Sequence, residues 1–447
     1  MPNKLLLKNA TLVCPERIIR SDLLIEGALI AKIDRDISSS DAEVIDCHEL
    51  IVIPGLIDEH VHFRDGELKA KATIYGESRA AALGGVTSFM DMPNTTPAVT
   101  TLDSLEKRKA VAAKDSLINY AFYLGATKDN LEQIKRVDKN TVAGIKVYMG
   151  ATTGDLLLDD YNMLKQVFAA APTLVATHCE YTPLISAGEK RARAAYGDNI
   201  PFSIHRIIRN RDCCIASSRT AISLAKETGA RLHILHISTK EEVQMLKALM
   251  IGSIEKRQIS GEACIPHLYF SECDYDRLGG LLKCNPAVKT EQDRLALVNA
   301  VEDGIIPTVG TDHAPHEMTQ KGSVYTKCAS GCTSIQYGLL ALCDLWKRGE
   351  LSLESMVRCT SMNVAARYQL KNRGRIEEGA YADLALINPL KQHTVTGQDI
   401  ASTCRWSPFL GTTFACSVEH TIANGTMIVK NGRINSDTAG MPLEFSR

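Results

Sequence analysis

His60 and His62, in the run Leu56-Ile57-Asp58-Glu59-His60-Val61-His62-Phe63-Arg64, stand two residues apart. On an extended strand that spacing turns both imidazoles to one face, which makes half of a divalent-metal site. A lone His-x-His pair is more often solvated, so its weight comes from its position. The pair follows the turn residues Pro54 and Gly55 and opens a long alternation of strand-like and helix-like segments. Its partners should then lie at the ends of later strands.

Eight apolar runs, each closing on polar residues, read as strands over 56–63, 86–92, 118–125, 142–149, 173–179, 231–237, 259–265 and 306–312. Helix-like stretches such as Glu77 to Leu83, Leu102 to Ala113 and Ser217 to Glu227 separate most of them. Eight such units predict an α/β fold, a TIM (β/α)8 barrel, in which chemistry is placed at the C-terminal ends of the strands. The unusual polar residues fall at those ends: His60 and His62 in the first strand, Lys146 in the fourth, His178 closing the fifth, His236 late in the sixth and Asp312 closing the eighth. For one histidine a hydrogen-bonded core position is the better reading, but six coordinating types at the expected end of a barrel reverse it. Alternation puts His233 opposite His236 and His313 opposite Asp312, so His233 and His313 are expected in packing or supporting roles.

Lys146 is the odd member, because an ammonium beside cations is repelled and a lysine normally snorkels to water. Its flanks, Ile145 and Val147, argue against that escape. A neutral amine can instead add carbon dioxide, and the resulting carbamate is an anion able to bridge two metals. Such a pair would acidify a water toward pKa ~7 and supply a nucleophile at neutral pH.

The chain ends read differently. Short apolar runs at Leu5 to Leu12, Asp22 to Ile25, Leu29 to Ile33 and Leu50 to Ile53 resemble a small antiparallel sheet. The pattern returns at Ala382 to Ile387, Cys416 to Ile422 and Thr426 to Val429, before the turn Lys430-Asn431-Gly432. Neither end is large enough for its own core, so residues 1–53 and 374–447 are expected to pair into a small β-sandwich domain beside a barrel over 54–373.

Composition narrows the class. With 447 residues and 45% hydrophobic content the chain can bury a large core, and a net charge of −1 offers no field for nucleic acid or anionic membrane. No apolar run approaches the ~20 residues of a membrane span, and Lys8 and Asn9 break the early Leu5-Leu6-Leu7. A cytoplasmic protein acting on a small molecule, with neither nucleic acid nor membrane as partner, is expected. The 14 cysteines are scattered without Cys-x-x-Cys spacing and read as reduced thiols. Cys328 and Cys332 alone are a loop feature rather than a zinc site.

Taken together, these residues resemble the amidohydrolase superfamily and, within it, the dihydroorotases that use a metal-bridging carbamylated lysine. The resemblance covers nearly the whole chain, including Ser407-Pro408-Phe409-Leu410-Gly411 and Thr421-Ile422-Ala423-Asn424-Gly425 in the C-terminal β region. It is most specific in three segments: His60-Val61-His62-Phe63-Arg64, Asp91-Met92-Pro93-Asn94-Thr95-Thr96-Pro97 and Thr311-Asp312-His313-Ala314-Pro315-His316. Allantoinases are similar but usually differ at the second, and dihydropyrimidinases lack the arginine and asparagine. Three stretches depart from the family pattern: Asp65-Gly66-Glu67, the loop Cys328 to Cys332, and Glu262-Ala263-Cys264-Ile265-Pro266-His267.

The resemblance implies hydrolysis of dihydroorotate to N-carbamoyl-L-aspartate, reversible and used for pyrimidine synthesis, with an allantoinase or a dihydropyrimidinase/hydantoinase-like activity as the alternative. It implies two divalent ions, zinc by family precedent. One would be held by His60, His62 and Asp312 and the other by His178 and His236, with carbamylated Lys146 between them. Asp312 would move the proton. Arg64 would hold the ring carboxylate, Asn94 and His316 would add hydrogen bonds, and Asn285 matches a family position at the pyrimidine ring. A homodimer is the expected assembly.

Overall fold

The computed structural model describes residues 4–14, 17–150, 156–437 and 440–447. Eight successive strands run parallel: Leu56–Val61, Val86–Asp91, Asn119–Phe122 continued by Leu124–Gly125, Ile145–Tyr148, Val175–His178, Leu232–Ile234, Ile259–Cys264 and Thr308–Gly310. Almost every residue in them is buried, as expected of parallel strands covered on both faces. The circle closes between the eighth strand and the first. Thr311 donates from its backbone N–H and its hydroxyl to Asp58, and the His62 N–H donates to the His313 carbonyl at 2.8 Å. The fold is a (β/α)8 barrel flanked by a sheet built from both ends of the chain.

Local signals explain the helices around it. Thr73 caps the helix Ile74–Leu83, its hydroxyl accepting from the Gly76 N–H at 3.0 Å. Thr101 and Ser104 form a capping box on Leu102–Asp115, and Asn210 opens Arg211–Thr228, which ends at Gly229 with φ 78°. Among the described residues no helix is long and apolar enough to cross a membrane.

The flanking sheet joins both ends of the chain. Ile51–Pro54 pairs parallel with the first strand, Lys4–Cys14, and antiparallel with Leu384–Asn388 from the other end. Leu7, Leu12, Leu23, Val52, Leu384, Leu386 and Ile422 form its core. From Ile51–Pro54 the chain passes through Gly55 into the first barrel strand. A Cβ on Gly55 would lie 2.3 Å from the Thr87 side chain, so only glycine lets the two chains approach there.

Several strands stop earlier than their apolar runs suggest, and two of them matter for the site. The sixth ends at Ile234 and the eighth at Gly310, short of the expected 237 and 312. His236 and Asp312 follow in left-handed backbone, with φ 40° and 45°, which breaks the ladder and turns each side chain over the barrel mouth. Strand alternation therefore does not separate His236 from His233 or Asp312 from His313; the turned backbone does.

Candidate active site

The barrel mouth gathers the six coordinating types. His60 Nε2 and His62 Nε2 lie 3.3 Å and 3.2 Å from the same oxygen of Asp312. The ligand atoms of these three residues all fall within 4.8 Å of one another. Behind them, His60 Nδ1 meets Glu262 Oε2 at 2.9 Å and His62 Nδ1 meets Asn94 Oδ1 at 2.6 Å. Both partners are acceptors, so each ring carries its proton on Nδ1 and turns a lone pair toward Asp312.

The second group lies beside the first. His178 Nε2 donates to Glu180 at 3.0 Å, which leaves Nδ1 as a lone pair 2.9 Å from His236 Nε2. The His60 and His236 ring centroids are 5.4 Å apart, so the two groups adjoin. Arg209 donates to the same Glu180 oxygen that His178 uses. Burial acts to raise the Glu180 carboxyl, but Arg209 and His178 outweigh it and hold it near 2.

Burial also sets the protonation of the histidines. It lowers His62 to about 4 and depresses His178 and His236, so at neutral pH these imidazoles are uncharged. Lys146 is 1% exposed, with its Nζ 4.6 Å from the Tyr148 ring centroid. Burial brings its ammonium down to about 8, within reach of the neutral amine.

Lone pairs of two imidazoles aimed at one carboxylate oxygen are mutually repulsive unless a cation lies among them, whereas His236 Nε2 and His178 Nδ1, 2.9 Å apart, are within hydrogen-bond distance of each other. The donor set fits divalent ions: neutral imidazoles and a carboxylate, each supported from behind.

A cavity of about 500 Å³ opens over these groups and is also lined by Arg64, Asn94, Tyr148, Asn285, His316 and the loop 328–331. Arg64, 7% exposed and at φ 55°, has only long contacts, 3.4 Å to the Pro315 carbonyl and 3.4 Å to His316 Nε2. Among the described residues no carboxylate pairs with it. His316 Nε2 donates to the Ser330 carbonyl at 3.0 Å, so Nδ1 is an acceptor, and it is buried without a partner. Asn285 Oδ1 and the Tyr148 hydroxyl are likewise buried and unpartnered. Asn94 faces both ways: its carbonyl oxygen serves His62, and its amide NH2 is what remains for a ligand.

The loop over the cavity is pinned from below. Lys321, 1% exposed, donates to the carbonyls of Lys283, Ala329 and Gly331 at 3.0, 2.9 and 2.8 Å. Lys283 donates to those of Tyr325 and Cys328.

Sequence reasoning missed Glu262, Glu180, Arg209 and Tyr148. Glu262 was visible as an acid inside an apolar strand, and Glu180 as an acid two residues beyond His178. Arg209 and Tyr148 carry no local signal. Gly310 belongs with Glu262, because a Cβ there would lie 2.1 Å from Glu262 Oε1. Of the supporting histidines, His313 donates to Glu77 at 2.8 Å beneath the barrel closure, and His233 Nδ1 lies 2.7 Å from Ser260 Oγ.

A barrel with this mouth defines a class. The model of the amidohydrolase family matches residues 51–428, and the chain belongs to that family. It is 32% identical over 405 residues to a dihydroorotase of Halobacterium salinarum, covering 88% of this chain and 92% of that one. It is 31% identical over 448 residues to an allantoinase of Enterococcus faecalis, covering 96% of each. Among solved structures, the L-hydantoinase (dihydropyrimidinase) of Arthrobacter aurescens superposes with a TM-score of 0.91 at 27% identity, over 97% of both chains. The protein is a metal-dependent hydrolase of the group that holds dihydroorotases, allantoinases and hydantoinases.

Proposed function

We propose that the protein hydrolyses dihydroorotate reversibly to N-carbamoyl-L-aspartate, and that pyrimidine synthesis uses the ring-closing direction. The observation that carries this reading is Arg64, a buried guanidinium in the cavity wall without an acidic partner among the described residues. A buried cation without a counter-ion is costly, and a ligand carboxylate answers it with paired charge-assisted hydrogen bonds. Allantoin, hydantoin and dihydrouracil are cyclic ureides without that carboxylate.

The unpartnered groups complement the rest of such a ring. Asn285 Oδ1 and His316 Nδ1 are acceptors for ring N–H groups, and the Asn94 NH2 is a further donor. His60, His62 and Asp312 would hold one divalent ion and His178 and His236 the other, with zinc the expected metal. Lys146, its neutral amine once carbamylated by carbon dioxide, would be a further anionic ligand. Such a pair supplies a polarised ring carbonyl and an acidified water. Asp312 takes the proton of the attacking water and passes it to the ring nitrogen as the C–N bond opens.

Side-by-side assay of dihydroorotate, allantoin, hydantoin and dihydrouracil tests the reading. Dihydroorotate should give the highest kcat/KM, and Arg64→Met should lower that value by about 10- to 100-fold while leaving dihydrouracil nearly unchanged. Higher turnover of allantoin or hydantoin by the unaltered protein would assign it to that substrate instead.

A further inference from the structure

Tyr148 presents a puzzle that packing does not solve. It ends the strand Ile145–Tyr148, and its backbone is fixed by the Leu158 N–H, which donates to its carbonyl at 2.9 Å. Its ring lies under Lys146 Nζ, at 4.6 Å, and 6.3 Å from the His178 ring. All of this a phenylalanine could do. The hydroxyl is the unexplained atom: the residue is 4% exposed, the oxygen has no hydrogen-bond partner among the described residues, and the side chain lines the cavity. A buried hydroxyl left unpaired is unfavourable, so its presence calls for a ligand.

We propose that Tyr148 is a substrate-binding residue whose hydroxyl donates to the ring carboxylate held by Arg64. The assignment rests on the dihydroorotate reading and deepens it. Tyr148 and Arg64 line the same cavity. Both offer hydrogens and neither has a protein acceptor of good geometry. An anion between them satisfies both. The unpartnered acceptors Asn285 Oδ1 and His316 Nδ1 serve the ring N–H groups, so donors and acceptors divide between the two ends of one ligand.

The test is Tyr148→Phe in the metal-loaded enzyme, with KM and kcat for dihydroorotate, Ki for orotate and the thermal midpoint read together. Loss of one hydrogen bond to a carboxylate should raise KM and Ki by about 10- to 100-fold and leave kcat within about threefold. The thermal midpoint should hold or rise, because the lost hydroxyl has no partner in the protein, whereas a structural role would lower it. Unchanged KM and Ki, or a fall in kcat with KM unchanged, would overturn the assignment; the second result would put the hydroxyl on the reacting carbonyl. If the unaltered enzyme neither turns over dihydroorotate nor binds orotate, the reading beneath fails and the assignment with it.

Discussion

Glu262 Oε2 lies 2.9 Å from His60 Nδ1, and the same oxygen accepts from the backbone N–H of His236 at 3.1 Å. One buried carboxylate thus sets the ring of a residue in one half of the candidate metal centre and the turned backbone of a residue in the other. Replacing it loosens both.

Glu262→Ala should therefore weaken metal retention by about 10- to 100-fold, the usual effect of losing the group behind a ligating histidine. Chelator titration with metal analysis reads this directly. Retention equal to that of the unaltered protein would show that His60 and His236 are oriented by something else.

In the proposed reaction Asp312 would carry two duties, as a ligand and as the proton carrier. Asp312→Asn keeps an oxygen for the metal but no base, so metal should largely remain while kcat falls by about 10²- to 10⁴-fold. A variant that keeps both its metal and its turnover would remove Asp312 from the proton path.

Lys146 gives a pH dependence with a definite sign. Burial lowers its ammonium to about 8, so the amine is mainly charged below that pH and mainly neutral above it. Only the neutral form adds carbon dioxide. Metal-free protein reactivated with metal at fixed dissolved carbon dioxide should recover about fivefold faster at pH 8 than at pH 7 and level off at higher pH. Recovery independent of both pH and carbon dioxide would mean that Lys146 acts unmodified.

Of the two ammonium groups that pin the loop over the cavity, Lys321 makes the most bonds. Lys321→Met removes the donor to three carbonyls, at Lys283, Ala329 and Gly331. Chemical denaturation should show a loss of about 3 kcal/mol. Because 328–331 lines the cavity, KM should rise as well. Full stability in this variant would show that the loop is held by other contacts.

Much of this was legible in the chain because parallel strands advertise themselves: apolar runs buried on both faces, each ending in a polar residue that has no business in a core. His60, His62, Lys146 and His178 stand out that way. His236 and Asp312 do so only in part, since they lie beyond the ladder on left-handed backbone, which strand periodicity does not describe. Glu262 and Glu180 escaped because their meaning lies in a pairing across the fold, with His60 in the first case and with Arg209 in the second. Tyr148 escaped because an aromatic residue in an apolar run reads as core. Lys321 works through backbone carbonyls, whose directions leave no mark on residue types.

The central claim is that side chains distant in sequence form a paired divalent-metal centre, and its most direct test is metal analysis of protein purified from metal-replete cells. The account predicts about two ions per chain, with His178→Ala and His62→Ala each reducing the count toward one. A count near zero in folded protein, or one unmoved by either substitution, would contradict it.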